Sequence, residues 1–193
     1  MGRTKALLPW GDVTLLAAWI DRFLSAGAEE VVVVLGAEFD AVRAAVEPSL
    51  PAPERVRWVQ NPDPAGTGPR ESLLLGLDQL PADSPAWFTP VDVPVVRAAS
   101  LRALLDAWRG AAQPLAAIPR YENRPGHPVL VGPLFVQRLF AGEPGDRIDE
   151  LLAWATRRLV HVDLDDPRVL GDMDDPAAYQ EAAPPAGTPD PVE

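Results

Sequence analysis

The side chains best suited to chemistry here are carboxylates placed where strands and loops end. Asp92 follows the apolar run Ala86-Trp87-Phe88-Thr89-Pro90-Val91, and Val93-Pro94 comes next. A proline two places beyond the aspartate stops strand pairing. In layered α/β proteins the carboxyl ends of strands are where ligands gather, and a carboxylate there can meet a hard cation or a metal-bound phosphate. The plainer alternative is a turn or helix-cap aspartate. Asp172 and Asp174 lie in Gly171-Asp172-Met173-Asp174-Asp175-Pro176. Residues two apart on an extended segment share a side, so both can converge on one cation. The alternative is an N-cap by Asp174 or Asp175, with Pro176 opening a helix.

Lys5 stands in a loop before a helical segment, where lysine can meet phosphate, although most loop lysines are simply solvated. Asn61 ends a strand, and Gly66, Gly68 and Ser72 follow in a loop that leads into a helix. Backbone N–H groups and a hydroxyl there can approach a base or phosphate; glycines relieving a βα turn are the bland reading. His127 opens a strand at a loop rim. His161 alternates with Val160 and Val162 and reads as outward-facing. No pair of histidines has metal-ligand spacing, which argues against zinc, and no Ser/His/Asp arrangement is legible.

The elements that must position these groups alternate between strand and helix. Thr14 is placed to cap a helix through about Ala26, with Leu15, Leu16, Trp19, Ile20 and Phe23 as its apolar stripe. Val31-Val32-Val33-Val34 reads as a strand buried on both faces, and a helix from about Glu38 to Glu47 follows. Further strands are expected at Arg55–Gln60, Trp87–Val91, Leu115–Ile118, Pro128–Val131 and Leu159–Leu164. Helices are expected at Glu71–Leu80, from a Ser100 cap to about Arg109, near Pro133–Phe140 and at Arg147–Arg158. Such alternation means βαβ units and a mainly parallel sheet. Unusually, the first helix follows a loop with no strand before it, whereas parallel α/β domains commonly open with a central strand.

Composition bounds the rest. A chain of 193 residues with 47% apolar content suits one domain with a real core. The absence of cysteine excludes disulfides and thiolate chemistry and fits a cytoplasmic setting. A net charge of -11 argues against nonspecific nucleic-acid binding, and no apolar run is long enough for a bilayer. The domain is expected over residues 1–180. The Pro/Ala-rich acidic stretch from Glu181 to Glu193 is expected to be a disordered tail.

Taken in order, these segments resemble the nucleotidyltransferases of molybdenum cofactor biosynthesis, the MobA-like NTP transferases, and among them the cytidylyltransferase-like branch. The resemblance runs to about Tyr179. Gly2-Arg3-Thr4-Lys5-Ala6-Leu7-Leu8-Pro9 is similar to the end of that family's N-terminal signature. Asn61-Pro62 through Gly66, with Ser72-Leu73 and Gly76-Leu77, resembles the segment around the base. Val91-Asp92-Val93-Pro94 is similar to the metal-binding motif, and Arg124-Pro125-Gly126-His127-Pro128 to the Gly-His-Pro loop on the acceptor side. Gly142 to Arg147 resembles Gly-Asp-x-Gly-Ala-Arg, and Asp172-Met173-Asp174-Asp175-Pro176 resembles the closing Asp-Ile-Asp-Thr-Pro element. Ala26-Gly27 followed by the valine run is similar to the family's first crossover. Each motif is short; seven in the family's order make the signal.

The resemblance implies a Rossmann-like three-layer nucleotidyltransferase fold, with the first strand and most of the glycine-rich signature loop absent. A start codon placed too late is the favoured explanation. It implies transfer of a nucleotidyl group, CMP from CTP in preference to GMP from GTP, to a phosphorylated acceptor such as molybdopterin, with pyrophosphate leaving. A molybdoenzyme apoprotein is an implied partner. Lys5 and Asp92 are the implied catalytic pair, and Lys5, Asn61, Gly66, Arg70 and Ser72 the implied nucleotide contacts. Asp92, Asp174 and Asp172 are the implied Mg2+ ligands, and His127 and Arg147 face the acceptor. The alternatives are a noncatalytic nucleotide- or cofactor-binding relative and a sugar-phosphate nucleotidyltransferase. A phosphorylation-receiver domain would need acidic residues after the valine strand, where Gly36-Ala37 stands.

Overall fold

Thr14 opens the first helix as its position predicts: its Oγ1 accepts from the Ala17 amide at 3.3 Å, and α1 runs Leu15–Ser25. The computed structural model describes residues 4–112, 114–142, 148, 150 and 158–185. Ahead of α1 a short hairpin pairs β1 (Pro9–Trp10) with β2 (Val13–Thr14). α1 is buried on two sides. Leu15, Ala18 and Trp19 join one apolar core with Val93, Val95 and Met173, while Leu16, Ala17 and Ile20 join another with Val33, Val42 and Val46. This helix therefore ties the two halves of the protein together.

One half is a parallel pair, β3 (Val31–Leu35) and β4 (Val56–Gln60), in register from Val31↔Val56 to Leu35↔Gln60. Helix α2 (Phe39–Val46) supplies Val42 and Val46 to its core, and α3 (Pro69–Leu77) follows β4. The other half is a five-stranded sheet. β5 (Ala86–Phe88) pairs antiparallel with β8 (Val129–Val131), which pairs antiparallel with β6 (Ala116–Tyr121). β6 also pairs with β7 (Arg124–Pro125) and, in parallel, with β9 (Leu159–Asp163). Helices α4 (Ala98–Gly110), α5 (Pro133–Phe140) and α6 (Pro176–Ala182) complete the described elements. The fold is Rossmann-like α/β as expected, and its sheet is mixed. The two five-residue ladders are parallel, while β8 runs against both neighbours because a hairpin delivers it.

Among the described residues no strand joins β3–β4 to β5, so each half keeps an open edge. A cavity of about 1350 Å³ separates them, lined by Val31–Leu35 on one side and Ala86–Phe88 on the other. This corrects the expectation for the valine run: only Val33 is buried, and its neighbours are half-exposed. A strand is covered on both faces only inside a continuous sheet, and β3 stands at an edge.

Other boundaries also move. The strand expected over Trp87–Val91 ends at Phe88, leaving Thr89 to Val93 as a turn. Ser100 does not cap a helix. α4 begins two residues earlier, after Arg97, and the buried Ser100 hydroxyl donates to Asp166 Oδ2 at 2.7 Å. The polar loop expected over Arg120–Gly126 is a hairpin turn, with Glu122 and Asn123 at positive φ. The tail boundary shifts as well, because α6 takes in Glu181 and Ala182. Arg147 and most of the helix expected at Arg147–Arg158 lie outside the described residues. No helix among the described residues is long and apolar enough to cross a membrane.

Candidate active site

Three charged side chains from distant parts of the chain meet at one point. The Lys5 ammonium donates to Asp92 Oδ2 at 3.0 Å and to Asp174 Oδ1 at 2.8 Å. Its side chain is 27% exposed, and those of Asp92 and Asp174 are 32% and 77% exposed. The two carboxylates, Asp174 first, hold the ammonium's pKa above its ordinary value against partial desolvation.

Buried neighbours put each of these groups in place. Lys5 begins a single helical turn, Lys5–Leu7, whose Ala6 is buried against the α1 core. Asp92 precedes Val93, which is buried and offers its carbonyl to the Trp19 indole N–H at 2.9 Å. The Asp92 carbonyl in turn accepts from the Met173 amide at 2.9 Å, stitching the turn to the closing acidic segment. Met173 points into the core, so Asp172 and Asp174, alternating with it, stay exposed. The choice left open between Asp174 and Asp175 is resolved here. Asp175 Oδ1 accepts from the Ala177 and Ala178 amides and caps α6, while Asp174 reaches Lys5.

Contrary to the expectation that it shares a cation with Asp174, Asp172 forms no metal-holding group of three with Asp92 and Asp174, and its charge acts on the His127 imidazole. Burial pushes the His127 pKa below its ordinary value; Asp172, Asp92 and a backbone hydrogen bond at Phe88 oppose the shift. The His127 ring meets Phe88 edge-on at 6.0 Å between centroids. Its backbone amide donates to the Val169 carbonyl at 2.8 Å, which keeps the Gly126-His127 segment against the stretch leading to Asp172.

The second cluster organises a loop. Asn61 is buried, and its Nδ2 donates to Thr67 Oγ1 at 2.8 Å and to Ser72 Oγ at 3.1 Å. Its Oδ1 accepts from the Asp63 amide at 3.0 Å. Asp63 Oδ1 then accepts from the Gly66 amide, and Glu71 Oε2 accepts from the Gly68 amide at the start of α3. Asn61 and Ser72 therefore hold the loop in shape from within. Thr67 and Glu71 belong to this framework and were not singled out from sequence; a threonine between two loop glycines was the available signal. Asn61→Ala should destabilise the protein by about 1–3 kcal/mol, because the partners of a buried amide lose their hydrogen bonds. Faster amide hydrogen exchange confined to residues 63–68 would locate the loss in the loop.

Gly66, Thr67, Gly68, Arg70, Ser72 and His127 all line the large cavity, and Ala6 and Val91 bring it beside Lys5 and Asp92. Arg70 is buried, and its Nη2 donates to the Leu139 carbonyl at 2.7 Å, so part of its guanidinium braces α3 against α5.

Asp92 and Asp174 form a donor set that fits a hard divalent cation, because both already converge on one cationic centre, the ammonium. Among the described residues no group of three or more His, Cys, Asp or Glu side chains is placed to hold a metal. Two carboxylates leave the other positions to water and phosphate oxygens, the arrangement typical of Mg2+ bound with a nucleotide.

The model of the MobA-like NTP transferase domain matches residues 1–179. A probable molybdenum cofactor guanylyltransferase of Rhodopirellula baltica is 33% identical over 112 residues. That match covers 56% of this chain and spans half the length of the curated relative. A Mycobacterium tuberculosis protein crystallised with manganese superposes with a TM-score of 0.72 at 28% identity, covering 94% of this chain and 92% of that one. A nucleotidyl transferase from Methanothermobacter superposes with a TM-score of 0.73 at 26% identity, covering 92% and 82%.

Proposed function

This chain belongs to the MobA-like NTP transferase domain family, and we propose that it transfers a nucleotidyl group from a nucleoside triphosphate to a phosphorylated acceptor, releasing pyrophosphate. The observation that carries the reading is the convergence of Lys5, Asp92 and Asp174 beside a cavity edged by the Gly66–Ser72 loop. An acceptor phosphate is already an anion, so the site needs no strong general base. Alignment of the two phosphates and neutralisation of charge at the α-phosphate suffice. Asp92 and Asp174 would hold a divalent ion such as Mg2+, which supplies that neutralisation when bound. The relative crystallised with manganese supports a divalent ion of this kind.

In this reading Lys5 carries positive charge to the phosphates, and the loop held by Asn61 and Ser72 flanks the base and sugar. Arg70 backs that loop from behind. His127, kept neutral by burial, offers a hydrogen bond to the acceptor, and Arg147 is assigned to the acceptor by motif alone.

For the acceptor, the relative named as a probable molybdenum cofactor guanylyltransferase supports a molybdopterin-type phosphate. The same name favours GTP as donor over the CTP expected from sequence. A noncatalytic nucleotide-binding role is the competing reading, and what favours it is the gap between β3 and β5. The test is pyrophosphate release together with mass-spectrometric detection of the joined product. GTP and CTP are each offered with molybdopterin and with a sugar 1-phosphate. Product with the pterin and GTP is expected. Nucleotide binding without product under any pairing would overturn the transferase reading.

A further inference from the structure

Lys5 is the only lysine in the chain; the other sixteen of its 17 basic Lys and Arg residues are arginines. That single ammonium lies between the two carboxylates proposed above as metal ligands, 3.0 Å from Asp92 Oδ2 and 2.8 Å from Asp174 Oδ1. We infer that Lys5 is the resident counter-ion of this pair and that a divalent cation enters only by displacing it. The inference rests on the metal site of the proposed function and adds a competition between two cations for the same oxygens.

The backbone around the pair is pinned. The Asp92 carbonyl is hydrogen-bonded to the Met173 amide, Val93 and Met173 are buried, and Ala6 is buried beside Lys5. The part free to leave is the ammonium on its four-carbon stem, because among the described residues Lys5 is held at its tip only by these two carboxylates. Two cations on the same two oxygens would repel each other strongly at contact distance. The residue type fits the role. Lysine is a compact point charge on a flexible stem, whereas an arginine fork grips a carboxylate bidentately and lets go less readily. In a chain that otherwise uses arginine for every basic side chain, the displaceable cation stands where displacement is needed. Without metal, the ammonium keeps two neighbouring carboxylates from repelling each other; when metal arrives, it is released beside the phosphate-binding cavity.

The test uses Mn2+ alone as probe, followed by electron paramagnetic resonance, on the wild type, Lys5→Met, Lys5→Arg and Asp92→Asn. Lys5→Met should bind Mn2+ on the order of tenfold tighter, the scale of two partly exposed ion pairs. Lys5→Arg should bind it more weakly than wild type although its charge is the same, which separates displacement from simple repulsion. With lysine-selective labelling the protein gives one side-chain NMR signal, and saturating Mg2+ should move it to the position of a freely rotating lysine. Equal Mn2+ affinity in wild type and Lys5→Met, or a Lys5 signal that stays put while metal binds, overturns the displacement but leaves the metal site standing. Failure of Mn2+ to bind the wild type and Lys5→Met alike, or binding unaffected by Asp92→Asn, overturns the metal site and this inference together.

Discussion

Asp92→Asn is expected to lower the rate of nucleotidyl transfer on the order of a thousandfold, the scale seen when one preorganised electrostatic contact to a transition state is lost. The substitution keeps the shape of the side chain and removes only its charge. Its backbone role is untouched, since the carbonyl still accepts from Met173 and Val93 still fills the core below. Stability should therefore change by about 1 kcal/mol or less, the worth of a partly exposed ion pair. Asp174→Asn should cost less activity, because its carboxylate is 77% exposed against 32% for Asp92 and is better screened by water. Steady-state rates at saturating nucleotide, paired with denaturant unfolding of each variant, check both statements. If Asp92→Asn retained more than a tenth of wild-type activity with an unchanged midpoint, Asp92 would not be a group that touches the reacting phosphates.

The features legible in the sequence are those written in local pattern. Thr14 announces α1, the β-branched run announces β3, and Gly132-Pro133 opens α5 at its predicted residue. Motif order carried the family. Spatial facts between distant residues were not legible in local pattern, and only the family resemblance implied that Lys5, Asp92 and Asp174 share a site. Lys5 meets Asp92 across 87 positions and Asp174 across 169, and nothing in either local pattern encodes that meeting. Ser100 shows the same limit: serine in a helix's first turn reads as a cap, but its hydroxyl is claimed by Asp166, 66 residues away.

The valine run shows how burial depends on what lies next door. Four consecutive β-branched residues specify a strand, and their hydrophobicity asks for cover on both faces. Whether cover arrives is decided by the next strand in the sheet, a non-local matter. With β3 unpaired toward β5, those side chains line a cavity that continues to the Gly66–Ser72 loop and His127. An open edge there offers unpaired backbone groups beside the Gly66–Ser72 loop. The site's carboxylate side is braced by the Val93 and Met173 anchors, whereas its cavity side is braced by the Asn61 network and by Arg70 against α5.

Gly126→Ala should be the most damaging small change outside the charged cluster. A Cβ at this position would fall 1.9 Å from the Val169 carbonyl oxygen and 2.6 Å from its carbon, and both are backbone atoms. Neither partner can step aside. The Gly126 amide donates to the Pro119 carbonyl at 3.0 Å, the His127 amide donates to the same Val169 oxygen, and Val169 is buried in the core. Relief requires prying the 126–128 loop from the stretch that leads to Asp172 and Asp174. The expected loss is about 3 kcal/mol or more, the upper range for overpacking, read as a lower denaturant midpoint with an unchanged slope. Gly110→Ala is the control, since a Cβ there meets nothing within 4 Å and should be neutral or slightly stabilising. Because this contact joins the 126–128 loop to the acidic segment, Gly126→Ala should also weaken Mn2+ binding under conditions where the variant is still folded. Equal midpoints for Gly126→Ala and wild type would mean that the two segments are not packed in solution as they are in this structure.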